Sequence, residues 1–231
     1  MKKIGLVAGL GPEATVDYYK KIIDAFKTQG NDLKYPEIIM YSVNMWEFLT
    51  PMKSKNYEKV LDYLLGKINA LKAAGADFIA LTANTPHLLF DKLKERTDIP
   101  MLSIVEAACR ETERNGFRRP ALFGTGFTMR NKFYQDVFGS KNIDIIVPDE
   151  NQIEFINQKL FSEIELGIFK DETRNALVDI MTDMKNTHHI DSVILGCTEF
   201  PLVFTEPSYA GLPMLDTTAI HVKEIVEYCV S

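Results

Sequence analysis

The sequence predicts an α/β protein made of two similar parallel-sheet α/β domains related by a pseudo-two-fold axis, with a ligand cleft between them. Three observations lead there. Short apolar runs alternate with amphipathic helical stretches, the chain echoes itself at nearly one spacing, and two of the echoed strands stop abruptly in small polar residues. The runs are "KIGLVAG", "EIIMYSV", "FIALTAN", "MLSIV", "PALFGT", "DIIVP", "SVILGC" and "PMLDT". Runs apolar on both faces and followed by helices are how buried parallel strands read.

The helical pattern covers Pro12 to Lys27, Tyr57 to Ala74, Val105 to Asn115, Thr128 to Val137, Gln152 to Ile168 and Thr173 to Lys185. Pro12-Glu13 and Asp149-Glu150 open two of them, where a carboxylate meets the positive end of the peptide dipoles. "NMWEFLTPM", with Trp46, reads as an unpatterned loop, and His188-His189 as a surface turn. No linker rich in Gly, Ser or Pro separates the halves. The expected division is residues 1–98 plus 210–231 as an N-terminal domain completed by the C-terminal helix, and 99–209 as the second.

The repeat is the most informative feature. "FIALTANTPHLLF" lies on "SVILGCTEFPLVF", "DIPMLSIVEAACRE" on "GLPMLDTTAIHVKE", and "IGLVAGLGPEATVDYY" on "PALFGTGFTMRNKFYQ". Leu6 thereby meets Leu122, Ile79 meets Val193 and Met101 meets Met214, at offsets of 116, 114 and 113 residues. Ordered matches at almost one spacing indicate duplication rather than a chance likeness of strands. Open parallel sheets bind ligands beyond the carboxyl ends of their strands, so the ends at Ala83 and Cys197 become candidate site positions.

Composition narrows the function classes. The 26 basic residues are outnumbered by 32 acidic ones, a net charge of −6, so no basic surface for a phosphate backbone is expected and nucleic acid is excluded as a partner. No apolar stretch is long enough for a membrane span, and Gly-Pro-Glu interrupts the N-terminal apolar run where a signal peptide would continue, so a cytoplasmic protein is expected. Cys109, Cys197 and Cys229 have no paired spacing, which argues against a disulfide framework or a metal knuckle.

Cys197 stands between Gly196 and Thr198 where a strand meets a helix start. Amide dipoles there are expected to ease loss of the thiol proton. Asn84-Thr85 and Thr198-Glu199 occupy matching positions after the two strands, and amides, hydroxyls and free helix-end N–H groups suit a carboxylate; helix capping is the competing reading. Thr125 and Thr128 in "GTGFTMR" form a similar pair. "AGLGPEAT" lacks both GxGxxG and a GKS or GKT ending, so Gly9 and Gly11 are read as a tight loop lining the cleft. His87 and His221 follow strand ends but have no partner at metal-ligand spacing.

Taken in order, "GLGPEAT", "ANTPH", "GTGFTM", "ILGCTEFP" and "DTTAIH" resemble the motifs of the aspartate/glutamate racemase family over nearly the whole chain. The resemblance implies a homodimer that racemises an acidic amino acid, aspartate or glutamate, without pyridoxal phosphate, metal or other cofactor. It implies Cys197 as a catalytic acid/base and Gly9, Gly11, Asn84, Thr85, Thr125, Thr128, Thr198 and Glu199 at or beside the substrate. Two acid/base groups must flank Cα for inversion. This chain departs from the family pair: Ala83 stands where many members carry the first cysteine, and Glu165 lies near where some aspartate racemases place a lysine. Impaired or one-sided turnover is therefore expected. The open accounts of Ala83 are a relay by Thr82, water or His87; one-base chemistry by Cys197, as in a one-cysteine isomerase or decarboxylase-like enzyme; a replacement made to stop turnover; or a noncatalytic binder of amino or dicarboxylic acids.

Overall fold

A computed structural model describes residues 1–27 and 33–231. These form two compact units, Met1–Ile104 with Thr218–Ser231, and Val105–Thr217.

The first unit begins with β1 (Ile4–Ala8), α1 (Pro12–Lys27), β2 (Ile38–Ser42), α2 (Met45–Lys53), α3 (Tyr57–Ala73), β3 (Phe78–Leu81), α4 (Phe90–Glu95) and β4 (Met101–Leu102). Its strands run parallel in the order β2-β1-β3-β4. Every residue of β1 and β3 is buried, which accounts for their unbroken apolar character. α1 lays Tyr18, Ile22 and Phe26 against Ile4, Leu6 and Phe78, and Val222, Ile225 and Val226 of the C-terminal helix join the same core.

The second unit contains α5 (Ile104–Arg114, its first residue in the first unit), β5 (Pro120–Phe123), α6 (Gly126–Arg130), α7 (Phe133–Gly139), α8 (Glu150–Ser162), α9 (Asp171–His188), β6 (Ser192–Leu195), β7 (Ser208–Tyr209) and β8 (Leu212–Asp216), and α10 (Thr217–Val230) carries the chain back to the first unit. The order is β5-β6-β8-β7, parallel except for the short edge strand β7. Phe123, Ile156, Leu160, Leu177, Met181 and Phe200 fill its core.

The repeat is written into the strand registers. Ile4 pairs with Phe78 as Pro120 pairs with Ser192, and Ile79 pairs with Met101 as Val193 pairs with Met214. The duplicated sequence thus gives duplicated ladders, with Tyr18 and Tyr134 both fully buried.

Several expected elements come out differently. β4 pairs with β3 and β8 pairs with β6, so residues 101–102 stay with the first unit and 212–216 with the second, moving the boundaries to Ile104/Val105 and Thr217/Thr218. "DIIVP" makes a single bridge, Ile146 to Ala121, rather than a strand. The helix expected over 128–137 is two short ones. Asn131 turns extended between them and its amide donates to the Phe127 carbonyl at 2.8 Å, a local bond that competes with helix continuation. The segment around Trp46 is α2, capped by the Asn44 side chain accepting from the Trp46 N–H, with the indole itself 76% exposed. The helix expected to reach Ile168 stops at Ser162, gives one 3-10 turn over Ile164–Leu166, and closes at Gly167 with φ of 71°, a backbone angle suited to glycine. Among the described residues no helix is long and apolar enough to cross a membrane.

Candidate active site

In the second unit, β6 approaches β5 closely enough that the Gly196 N–H donates to the Phe123 carbonyl at 2.6 Å. A Cβ at Gly196 would sit 2.7 Å from Leu122 Cδ1 and 3.0 Å from the Phe123 oxygen, so only glycine lets the strand end here. Cys197 follows at once. It is buried, and Phe200, fully buried in the core, ties the next turn down by donating its N–H to the Cys197 carbonyl at 3.2 Å.

The Cys197 thiol donates to Glu199 Oε2 at 3.0 Å, and the Thr198 hydroxyl donates to the same oxygen at 3.0 Å. Glu165 Oε1 lies 3.9 Å from Sγ. Burial first, then the charges of Glu199 and Glu165, push the Cys197 thiol well above its ordinary range. The expectation of an easily ionised thiol is thereby corrected. The turn after β6 is a 3-10 turn of three residues, and two carboxylates outweigh its few aligned amides. Burial, and then Glu199, raise the Glu165 carboxyl to about 7. The donor atoms of Glu165, Cys197 and Glu199 lie within 4.8 Å of one another, a spacing open to a metal ion or to an organic cation.

Glu165 is held in place by its neighbour but one. Glu163 accepts from Lys159 Nζ at 2.7 Å and Lys170 Nζ at 3.3 Å and from the Thr173 hydroxyl, contacts that hold its carboxyl far below the ordinary range. The Glu163 carbonyl also takes the N–H groups of Leu166 and Ile168 at 3.0 Å each. This anchoring of the Glu165 turn was not legible beforehand; the Lys159/Glu163 spacing of four was its one signal. Nearby, Thr125 caps α6 by accepting from the Thr128 N–H at 3.1 Å, and the two hydroxyls lie 3.1 Å apart. The Gly126 N–H is taken by Asn157 Oδ1 at 2.7 Å.

In the first unit, β3 ends at the matching place. Ala83 and Asn84 are buried and Thr85 is half-buried, opening a 3-10 turn over Thr85–Leu89. The Thr82 hydroxyl is wholly buried and donates to the Val7 carbonyl at 3.3 Å, directed into the sheet. The Ile104 N–H donates to His87 Nε2 at 3.2 Å, which leaves Nδ1 as the donor to the Ala83 carbonyl at 2.9 Å. Burial drives His87 down to about 4, so it is a neutral clamp holding two backbone segments. His221 does similar work, with Nδ1 2.9 Å from the Tyr18 hydroxyl and Nε2 3.3 Å from the Leu102 carbonyl. Gly9 has φ of 77°, and a Cβ there would meet Ser42 Oγ at 2.6 Å; its N–H donates to Thr15 Oγ1, which in turn donates to the Gly11 carbonyl, both at 2.9 Å. Gly9 and Gly11 thus form a tight loop without a phosphate cradle's spacing. All three cysteines are free and buried; Cys109 lies on α5, and the Cys229 thiol on α10 donates to the Lys2 carbonyl at 3.1 Å.

Two α/β units with matching strand registers, and a carboxylate-bonded thiol at one strand end, define the chain as an α/β protein with a polar thiol site. It belongs to the Asp/Glu/Hydantoin racemase family, whose model matches residues 7–225. It is 27% identical to the broad specificity amino-acid racemase RacX of Bacillus subtilis over 96% of each chain. Among solved structures it resembles an aspartate racemase homologue from Pyrococcus horikoshii, 34% identical with a TM-score of 0.86, and a putative Asp/Glu racemase from Yersinia pestis, 29% identical with a TM-score of 0.91. Both likenesses span the whole of each chain.

Proposed function

We propose that the chain is a cofactor-independent amino-acid isomerase in which Cys197 exchanges the α-proton of a bound amino acid. The bond from its thiol to Glu199 at 3.0 Å carries this reading. Passing the thiol proton to Glu199 leaves a thiolate; the thiolate takes the proton from Cα, and the electron pair left behind spreads into the substrate carboxylate. The thiol so formed can return a proton to the same face. Inversion needs a second acid for the other face, and Ala83, at the matching repeat position, has none to give. Racemisation is consequently one-sided, with solvent as the second donor. Thr82 is not assigned that task, since its hydroxyl is committed to Val7.

Gly9, Gly11, Asn84, Thr85, Thr125, Thr128, Thr198 and Glu199 are the proposed substrate contacts; the amides and hydroxyls among them are the donors that favour the carbanionic state, and the Glu199 carboxylate is an acceptor. The family resemblance supports aspartate or glutamate as substrate; the broad specificity in one relative's name extends the range, and Glu165 beside the thiol counts against an acidic side chain. A cytoplasmic homodimer completes the reading, with Val16, Tyr19 and Met40 supplying exposed apolar surface along α1 and edge strand β2. A noncatalytic binder of the same acids is the second reading, favoured by Ala83.

The test is α-proton exchange in D₂O, with both enantiomers of aspartate, glutamate, lysine and methionine, followed by NMR and chiral analysis. Exchange is expected from one enantiomer of a pair, with Cys197→Ser lowering it by about 10³-fold. Exchange that survives Cys197→Ser would remove the thiol from the mechanism. No exchange by the native protein or by Ala83→Cys, with binding intact, would establish the binder instead.

A further inference from the structure

Glu163 and Glu165 are two residues apart, yet their carboxylates meet opposite fates. Both nearby ammonium groups, Lys159 and Lys170, are spent on Glu163. Glu165 is left pointing at Cys197, and the other carboxylate on that thiol, Glu199, has among the described residues the thiol and the Thr198 hydroxyl as its hydrogen-bond donors. Among the described residues, neither Glu165 nor Glu199 has an ion-pair partner. Two acidic groups and a thiol, packed within 4.8 Å and without a protein cation, form a locus that repels a further carboxylate and attracts a cation.

Resting on the reading of Cys197 as the proton-exchange centre, we propose that Glu165 makes this site selective for an amino acid with a cationic side chain, of the lysine or arginine type, over an acidic one. An acidic amino acid brings a net negative charge to a turn that already holds two carboxylates. A basic one arrives with a net positive charge, and its side-chain cation can pair with the Glu165 carboxylate, since Lys159 and Lys170 pair with Glu163. The negative balance of the whole chain favours the same partner at long range. Glu199 is engaged by the thiol and by Thr198, so the half-buried, singly contacted Glu165 is the group left to discriminate. Its role is to select the substrate, and proton transfer stays with Cys197.

Binding and exchange are measured separately, with L-lysine, L-arginine, L-glutamate and the neutral L-methionine, on the native full chain and on Glu165→Gln and Glu165→Lys. Calorimetry is expected to give the native protein at least about a tenfold preference for lysine over glutamate, falling toward unity in Glu165→Gln and reversing in Glu165→Lys. A native preference for glutamate, or a lysine-to-glutamate ratio unchanged by Glu165→Gln, overturns the proposal. The native protein gives a reading that needs no variant. Its preference for lysine should grow between pH 6 and pH 8 as Glu165 ionises, and a flat ratio overturns the proposal as well. A lysine preference in binding without α-proton exchange from any substrate would sink the isomerase reading while leaving the charge selection standing. A preference that appears only with added divalent metal ion, and vanishes on chelation, would assign the cluster to a metal and overturn the proposal.

Discussion

The two strand ends share a scaffold and differ in their chemistry. Thr82 N–H donates to Val7 in one unit as Gly196 N–H donates to Phe123 in the other, and the next three residues are Ala83-Asn84-Thr85 in the first and Cys197-Thr198-Glu199 in the second. Around Ala83 the neighbouring titratable group is His87, neutral and engaged with backbone on both ring nitrogens. Around Cys197 the neighbours are two carboxylates, one bonded to the thiol and one raised to about 7. Duplication preserved what positions a strand end, the register and the backbone bond to the neighbouring strand. It did not preserve the residue that follows, alanine in one unit and a carboxylate-bonded thiol in the other, because a ladder constrains backbone and leaves the first residue beyond it free to vary.

The strongest way to break that asymmetry is Ala83→Cys. The position is buried and matches Cys197 in the repeat, so a thiol there would supply the second donor that the proposed mechanism calls for, with little added volume. Racemisation, as distinct from one-sided exchange, should rise by about 10²-fold or more, read as chiral conversion against deuterium incorporation. An unchanged ratio of the two would mean that the repeat's correspondence stops at the backbone.

A smaller effect, of a different kind, is expected from His87→Leu. If His87 is a clamp, its loss leaves the Ala83 carbonyl and the Ile104 N–H without a bond, costing about 2 kcal/mol in urea unfolding. The pH dependence of α-proton exchange by the surviving folded protein should keep its shape. Loss of an inflection from that profile would restore His87 as a proton relay.

Much of this was legible in the sequence, for a definable reason. Repeat matches such as Ile79 on Val193 carried the register, because in a parallel sheet buried on both faces the apolar run and the ladder are one object. Cys197 and Glu199 were singled out from motif order, and the structure places the thiol 3.0 Å from the Glu199 carboxylate. What stayed hidden depends on contacts between segments distant in sequence. Thr82 looked like a spare hydroxyl until the sheet placed Val7 beside it, 75 residues away in sequence. The thiol's acidity was misjudged because local dipoles can be read from a turn, whereas Glu165 reaches Cys197 across 32 residues.

The smallest predicted effect tests the same contrast through stability. Glu165 titrates near 7 in the folded protein and near 4.5 when exposed, so between those values the folded state holds more protons than the unfolded one. Stability attributable to this group therefore falls as pH rises through that window, and the full penalty is present above about 7. Glu165→Gln removes the charge and should be more stable than the native protein at pH 8 by on the order of 1 kcal/mol, a figure reduced for the carboxyl's partial exposure. The gain should shrink toward zero at pH 5, where native Glu165 is already largely neutral. Glu163→Gln should do the opposite and destabilise at pH 8, because it abandons Lys159, Lys170 and Thr173. Two glutamates two residues apart would then differ in the sign of their contribution, one holding the turn and the other straining it, as expected if the second is kept for a ligand rather than for the fold. Equal and pH-independent effects of the two substitutions would show that Glu165 has found a partner within the chain and has no need of a substrate cation.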